Sequence, residues 1–472
     1  MTHPLWRSLG RLLGRAHQNR KKSASAGLSK RIPAPHGSGG HIEWVACTPG
    51  GDAFVVGWVA HDPALTAWLE CADGRRLPLA SAFRFTRQDL VDSHHPALVR
   101  TRAVDAAFMM AVPGVADGAR LRLVLSDGGA RTWWVSDAVA HPLPPHPVAA
   151  FKAMMERFSP RGRLVERFTK VDSALLAPLR AQQCAAWSQL PVDVHDLGVP
   201  VAAPQVSIIV PLYRRMDFVE PQLLKFSRDP WLRAHAEIIY VVDDPTLVEP
   251  MLLEAAAWFD LYQVPFRWVW GHANRGFSGA NNLGVSVARA DRLLFLNSDV
   301  FPTEPGWLAP MLEVLAQRPD LGLVAPLLLH TDGTVQHAGM TFRWAHDLGV
   351  WTNIHPNQGL DPALCVPPGV REHPTVTGAC VLLRRGDLAA VGGWDTGYLI
   401  GDFEDSDLCL RLRARGLGCA CLNDVRLTHL ERQSFSSLGD DGFRHAVVIL
   451  NAVRQQQRWG EAIAEQVKGA SV

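Results

Sequence analysis

Between residues 203 and 300 the apolar positions fall in short unbroken runs. Val206-Ser-Ile-Ile-Val210, Glu237-Ile-Ile-Tyr-Val-Val242, Phe266-Arg-Trp-Val-Trp270 and Arg292-Leu-Leu-Phe-Leu296 are each of strand length, and a segment of helical length separates each pair. Near-continuous apolar strands joined by helices predict an α/β domain with a mostly parallel sheet covered on both faces. From about 42 to 140 the period changes to two. Arg120-Leu-Arg-Leu-Val-Leu125 alternates, and similar segments recur at 53–60, 66–71 and 131–136. Turn clusters such as Pro49-Gly50-Gly51-Asp52, Asp73-Gly74, Asp117-Gly118 and Asp127-Gly128-Gly129 separate them, which predicts a small all-β, sandwich-like unit. Phe151, Met154, Met155 and Phe158 recur at helical spacing within 148–188, and residues 443–468 also read as helical.

These patterns divide the chain into an N-terminal segment (1–41), a β-sandwich-like accessory domain (42–140), a helical linker region (141–202), the main α/β domain (203–435) and C-terminal helices (436–472). The length of 472 residues suits such a division, since one ordinary core does not extend so far. Hydrophobic residues at 47% and charged residues at 20% give the balance of a soluble globular chain. A formal net charge of +1 supplies no general attraction to nucleic acid, and no nucleic-acid partner is expected. None of the eight cysteines forms a CxxC pair, and most sit in apolar runs as small buried hydrophobes.

With no secretory signal and no apolar run near the roughly 18 residues that span a bilayer, a cytoplasmic location is expected. Residues 1–22 modify that expectation. Leu5, Trp6, Leu9, Leu12, Leu13 and Ala16 fall at helical spacing among Arg7, Arg11, Arg15, Arg20, Lys21 and Lys22, with no acid. The segment suits peripheral contact with an anionic inner-membrane face, and equally a disordered basic tail. Tryptophan, 16 residues against 4 tyrosines, can stack on sugar rings, although packing is its commoner use.

The candidate chemistry follows the strands. Asp243 and Asp244 come after the second run, Asn274-Arg-Gly-Phe-Ser-Gly-Ala-Asn-Asn-Leu-Gly284 after the third, and Asn297, Ser298 and Asp299 after the fourth. In such sheets ligands bind beyond the carboxyl ends of the strands, so three polar ends in register predict a site. Small residues and backbone N–H groups at a helix start suit a diphosphate, and Asp299 is a hard oxygen ligand for Mg²⁺ or Mn²⁺. A denser acidic cluster, Gly401-Asp-Phe-Glu-Asp-Ser-Asp407, opens a further helical segment. Acids complement a helix N-terminus, yet this much crowding should raise at least one pKa, as a general base requires. Within the cluster Asp402 and Asp407 read as structural. His330 and His337 flank a hairpin turn at Asp332-Gly333 and also read as structural.

From Val206 to His429 the chain resembles the inverting family 2 glycosyltransferases of the GT-A fold. Val206-Ser-Ile-Ile-Val-Pro-Leu-Tyr213 is similar to the family's opening strand, which implies donor contacts for Pro211 and Tyr213. Val241-Val-Asp-Asp244 is similar to the segment whose first acid holds the nucleobase, implying that role for Asp243 with Asp244 beside it. The donor-loop likeness implies nucleotide-sugar contacts for Asn274, Gly276 and Asn281. Leu296-Asn-Ser-Asp299 occupies the DxD position, with Asn297 and Ser298 on the donor and Asp299 on the metal and diphosphate. Thr377–Arg385 and Gly392-Gly-Trp-Asp395 resemble the acceptor side, which implies Gly378, Trp394 and Asp395. Phe403-Glu-Asp-Ser-Asp-Leu408 matches the ED motif, giving Asp405 as base with Glu404 beside it, and His429 resembles the late histidine that supplies a second metal ligand.

Two positions depart from the family. Pro245-Thr246 stand where Gly-Ser is frequent, and Asn297 leaves one carboxylate in the DxD. The resemblance implies an inverting transfer from a nucleotide-sugar donor to a hydroxyl of a glycan or lipid-linked acceptor. It also implies a divalent cofactor (Mn or Mg) and a place in cell-surface polysaccharide synthesis. A nucleotidyltransferase would want a glycine-rich first loop, which Pro211-Leu-Tyr-Arg-Arg215 is not. The other alternative is a non-catalytic polysaccharide-binding or scaffolding protein that kept the fold.

Overall fold

The four apolar runs become four parallel strands in the computed structural model, which describes residues 37–102, 104–129, 131–157, 162–430 and 441–469. The basic segment 1–22 lies outside the described residues. The chain forms two compact units. One comprises the described residues up to Val45, with Val56–Phe108 and Gly118–Val139; the other comprises Ala46–Val55, Met109–Asp117 and the chain from Ala140.

The first unit is β-rich, as its period of two predicts. Strands Arg76–Pro78, Thr66–Glu70, Arg120–Ser126 and Thr132–Val139 pair in that order, all antiparallel. Alternation turns Leu69, Leu121, Leu123 and Leu125 inward, each fully buried. Trp68 and Trp134 share the other face, half-buried, with the guanidinium groups of Arg76 and Arg122 over their rings.

The second unit opens with helices α1 (Pro147–Arg157) and α2 (Ser173–Trp187), joined by short helical turns. The buried pair Arg167–Asp172, bidentate at 2.9 Å, fixes that junction. The main sheet then builds from β1 (Asp193–Leu197), β2 (Val206–Leu212), β3 (Ala236–Val242), β4 (Phe266–Trp270), β5 (Arg292–Leu296), β6 (Val300–Pro302), β7 (Leu321–Leu329), β8 (Val335–His337), β9 (Val370–His373), β10 (Cys380–Arg384) and β11 (Gly418–His429). Its order is β1-β4-β3-β2-β5-β10-β7-β11-β6, with β8 on β7 and β9 on β11.

Strands β4, β3, β2 and β5 are parallel to one another. Alternate residues feed opposite faces: Ile208, Ile238 and Tyr240 enter one core layer, and Ile209, Ile239 and Val241 the other. Beyond β5 the sheet is mixed rather than mostly parallel, because β10 runs antiparallel to both β5 and β7. A second difference is β1, an antiparallel edge strand on β4 in a stretch placed in the helical linker region (141–202). Its sequence Asp193-Val-His-Asp-Leu carries no apolar run, since an edge strand is largely solvated.

Three further helices bear on the site: α3 (Gly276–Val287), α4 (Glu404–Arg413) and α5 (Asp441–Gly469). The acids of α4 lie in its first turn and Arg411 and Arg413 in its last, matching the helix dipole. Among the described residues the C-terminal region is one long helix, Asp441–Gly469, rather than several. No helix among the described residues is long and apolar enough to cross a membrane.

Candidate active site

The carboxyl ends of β2, β3 and β5 open into a cavity of about 670 Å³, within the range of small-molecule sites. It brings together Pro211, Tyr213, Asp243, Asn274, Gly276, Asn297, Ser298, Asp299, Gly378, Glu404, Asp405 and His429. Asp402, expected to be structural, is on its rim as well.

Asp243 is 3% exposed, and its Oδ1 accepts the backbone N–H of Arg275 at 2.7 Å. Burial pushes its carboxyl up to about 8, against the lowering by the Arg275 and Gly276 N–H groups. Gly276 has φ +69°, so the turn that presents these N–H groups favours glycine.

Asp299 and His429 meet because β6 pairs with β11, setting Val300 opposite His429. Asp299 Oδ1 is 3.3 Å from His429 Nε2. On the far side of the ring, His429 Nδ1 donates to Gln336 Oε1 at 2.7 Å, which turns Nε2 toward Asp299. No cluster of three or more metal-ligating side chains occurs among the described residues. A hard carboxylate and an imidazole nitrogen facing one another nevertheless fit a divalent ion that takes its other ligands from a diphosphate and water. The loop ahead of Asp299 is held by Gln222, whose Nε2 donates to the carbonyls of Asn297 (3.0 Å) and Val300 (3.1 Å).

Across the cavity, Asp405 Oδ2 accepts from Gly378 N at 3.1 Å and Oδ1 from Ser406 N at 2.7 Å. Burial raises its pKa while those N–H groups pull it back. Glu404 is 7% exposed, and its Oε2 has no hydrogen-bond partner among the described residues. Burial, and then the charge of Asp405, push Glu404 well above the usual carboxylate range. Of the two, Glu404 keeps the proton and Asp405 is the better-supported carboxylate. A Cβ on Gly378 would stand 3.2 Å from that of Asp405 and 3.0 Å from the Trp394 ring, which accounts for glycine there.

Four expected residues lie off the cavity. Asp244 caps the turn after β3, accepting from Thr246 N (2.9 Å) and Arg214 N (3.2 Å). Asn281 is fully buried on the inner side of α3. Trp394 is 2% exposed and packs edge-on against Phe277 and Phe295. The left-handed Gly392 and Gly393 turn the chain inward ahead of it. Asp395 is committed to Arg454 (2.9 Å) and to Arg458. Asp407 is structural as expected, fully buried between Arg411, Arg458 and Trp459. His337 is fully buried as well, its Nε2 accepting from Gly339 N and Thr377 N.

The polar supports Gln222, Gln336 and Asn451 were not foreseen. Asn451, on α5, accepts from Leu399 N (2.9 Å) and donates to the carbonyls of Leu399 (3.0 Å), Gly401 (2.8 Å) and Asp402 (3.3 Å). It clamps the turn ahead of α4, in which Ile400, Asp402 and Phe403 all have positive φ. Three such non-glycine residues are strained and persist only where the surroundings fix them.

Residues 207–388 match the model of glycosyl transferase family 2. The chain is 33% identical over 286 residues to the O-antigen biosynthesis protein RfbC of Myxococcus xanthus, covering 58% of this chain and 21% of that protein. It thus spans about a fifth of the length of that curated relative. Among solved structures it is similar to GalNAc-T7 with UDP, GalNAc and Mn²⁺ (14% identical, TM-score 0.41, covering 55% of this chain and 50% of that one). It is also similar to the mannosyltransferase PcManGT of Pyrobaculum calidifontis with GDP-Man and Mn²⁺ (16% identical, TM-score 0.36, covering 65% and 90%). The likeness to glycosyl transferase family 2 is thus carried by residues 207–388 of this chain.

Proposed function

We propose that the protein transfers a sugar, with inversion, from a nucleoside-diphosphate donor to a hydroxyl of a glycan or lipid-linked acceptor in cell-surface polysaccharide synthesis, at the cytoplasmic side of a membrane. The observation that carries the reading is one cavity lined both by strand-end acids suited to a nucleotide diphosphate and by a carboxylate pair suited to proton removal. The RfbC likeness supports the polysaccharide context.

In this reading Asp243 accepts an N–H of the nucleobase and Asn274 and Gly276 border the diphosphate. A divalent ion bound by Asp299 and His429 would supply positive charge to the departing diphosphate. Asp405 takes the proton of the acceptor hydroxyl as that oxygen bonds to the anomeric carbon. The bond from that carbon to the diphosphate oxygen breaks on the opposite face. Glu404, buried and protonated, leaves Asp405 as the one ionised member of the pair.

The test is release of nucleoside diphosphate from a panel of nucleotide sugars by the purified full chain, with Mn²⁺ or Mg²⁺ and with chelator. Metal-dependent release from one donor is expected. It should be lost in Asp299→Ala and reduced about 100-fold or more in Asp405→Asn. No release and no metal-dependent nucleotide binding from any donor would overturn the proposal in favour of a scaffold.

A further inference from the structure

The family match begins at Ser207, but one wall of the cavity comes from earlier in the chain: His146, Val148 and Arg180 line it too. Arg180, on α2, is the strongest cation among them. Its Nε donates to the Thr396 carbonyl, its Nη1 to Gln183 Oε1 (2.6 Å) and its Nη2 to the Arg275 carbonyl (3.4 Å). The guanidinium lies 4.8 Å over the Trp187 ring, which fixes its plane. No carboxylate among the described residues forms an ion pair with it. Three of its N–H groups are engaged by these contacts, and a guanidinium carries five. Arg180 is therefore a half-buried cation at a cavity wall with donors to spare.

Its position indicates what that is. Arg275 donates its N–H to Asp243 and gives its carbonyl to Arg180, so one residue ties both groups to the same end of the cavity. The Arg275 side chain turns away, donating to the carbonyls of Trp187 (3.3 Å) and Gly271 (2.9 Å), and Arg275 does not line the cavity. The guanidinium available at the base end is thus that of Arg180. Resting on the donor-site reading above, we propose that Arg180 donates to a ring carbonyl of the nucleobase whose adjacent N–H is accepted by Asp243. An acceptor beside a donor pairs with a carbonyl next to a ring N–H, the edge that uracil, thymine and guanine present. Adenine and cytosine put an amino group and a ring nitrogen lone pair there, which meet Arg180 donor to donor and Asp243 acceptor to acceptor. The donor class is a sugar diphosphate of a keto base, and helix α2 is part of its site.

The experiment measures calorimetric binding of UDP, dTDP, GDP, CDP and ADP with Mn²⁺ to the full chain. It then measures the tightest of these against its thiocarbonyl analogues, in wild type, Arg180→Gln and Arg180→Lys. A thiocarbonyl weakens one acceptor and leaves the neighbouring N–H in place. Wild type is expected to prefer keto bases and to bind one thiocarbonyl analogue about 10-fold more weakly than its parent. In Arg180→Gln that ratio should fall to near one. The ratio is taken within each variant, so general loosening of α2, where Arg180 also holds Thr396, does not alter it. A ratio unchanged by Arg180→Gln overturns the inference and leaves the transferase reading standing. Binding of no diphosphate by wild type overturns that reading, and this inference with it.

Discussion

Replacing Asn451 by alanine separates support of the catalytic turn from contact with substrate, because Asn451 does not line the cavity. It is 1% exposed, and its amide makes three hydrogen bonds of 2.8–3.0 Å and one of 3.3 Å to residues 399–402. A net contribution of about 1 kcal/mol for each good bond, with buried backbone groups left unpaired, gives a loss of about 2–4 kcal/mol. The released strain lies at Ile400, Asp402 and Phe403, directly before Glu404 and Asp405, so activity should suffer more than nucleotide binding. Denaturation monitored by tryptophan fluorescence reports the stability. Amide exchange over 399–405 localises it, and donor hydrolysis gives kcat and KM. The expected result is faster exchange in that segment, kcat lower by about 10- to 100-fold and nearly unchanged affinity for the nucleoside diphosphate. A stability loss under about 0.5 kcal/mol with wild-type exchange would refute the clamp.

Other substitutions test the rest of the site. Gln336→Leu frees the His429 ring, and metal-dependent nucleotide binding should weaken by about 10-fold or more, read by Mn²⁺ titration. Gly378→Ala sets a Cβ 3.2 Å from that of Asp405, so donor hydrolysis should fall sharply while metal-dependent nucleotide binding persists. Asp243 titrates at about 8 when folded, against about 3.9 in an unfolded chain. Between those values the folded state holds the extra proton. The stability from the neutral carboxyl is therefore complete below about pH 4 and lost as pH rises through about 8. The ionised form accepts a base N–H more strongly, so nucleotide affinity should rise over the same range and level off above it. Asp243→Asn should flatten both dependences, measured by denaturation and calorimetry at matched ionic strength.

What could be read from the chain is what local pattern controls. Strands β2 to β5 are legible because both faces are covered, which forces unbroken apolar runs, and the strand ends then mark Asp243 and Asp299. The β1 edge strand is not legible, since Asp193-Val-His-Asp-Leu owes its conformation to pairing with β4 rather than to burial. Trp394 and Asp395 were implied as acceptor contacts by the likeness of Gly392-Gly-Trp-Asp395 to the family's acceptor-side segment. Direction cannot be read from composition: the two glycines send the indole into the core, and Arg454 and Arg458, some sixty residues later, take the carboxylate. Asp244 and Asn281 fail for a similar reason, one being used as a cap and the other facing inward.

The residues that sequence reading missed share a physical character. Gln222, Gln336 and Asn451 are buried amides whose partners are backbone carbonyls or a histidine ring far along the chain. Each is hydrogen-bonded to groups far along the chain, so each holds a loop or ring in one geometry. Each also stands behind a group that would act on substrate: Gln222 behind the Asn297–Val300 turn, Gln336 behind His429 and Asn451 behind the Glu404–Asp405 turn. In the proposed mechanism the acids would supply the reactive groups, and these amides hold the elements that carry them. Asn451 comes from α5 and Arg180 from α2, both outside the matched residues 207–388. If the assignments of Arg180 and Asn451 hold, a fragment limited to 207–388 would keep Asp243 and Asp299 and lose Asp405, His429, the clamp and the base-end cation. The cavity is therefore lined by the second unit from α1 through α5 rather than by the matched segment alone.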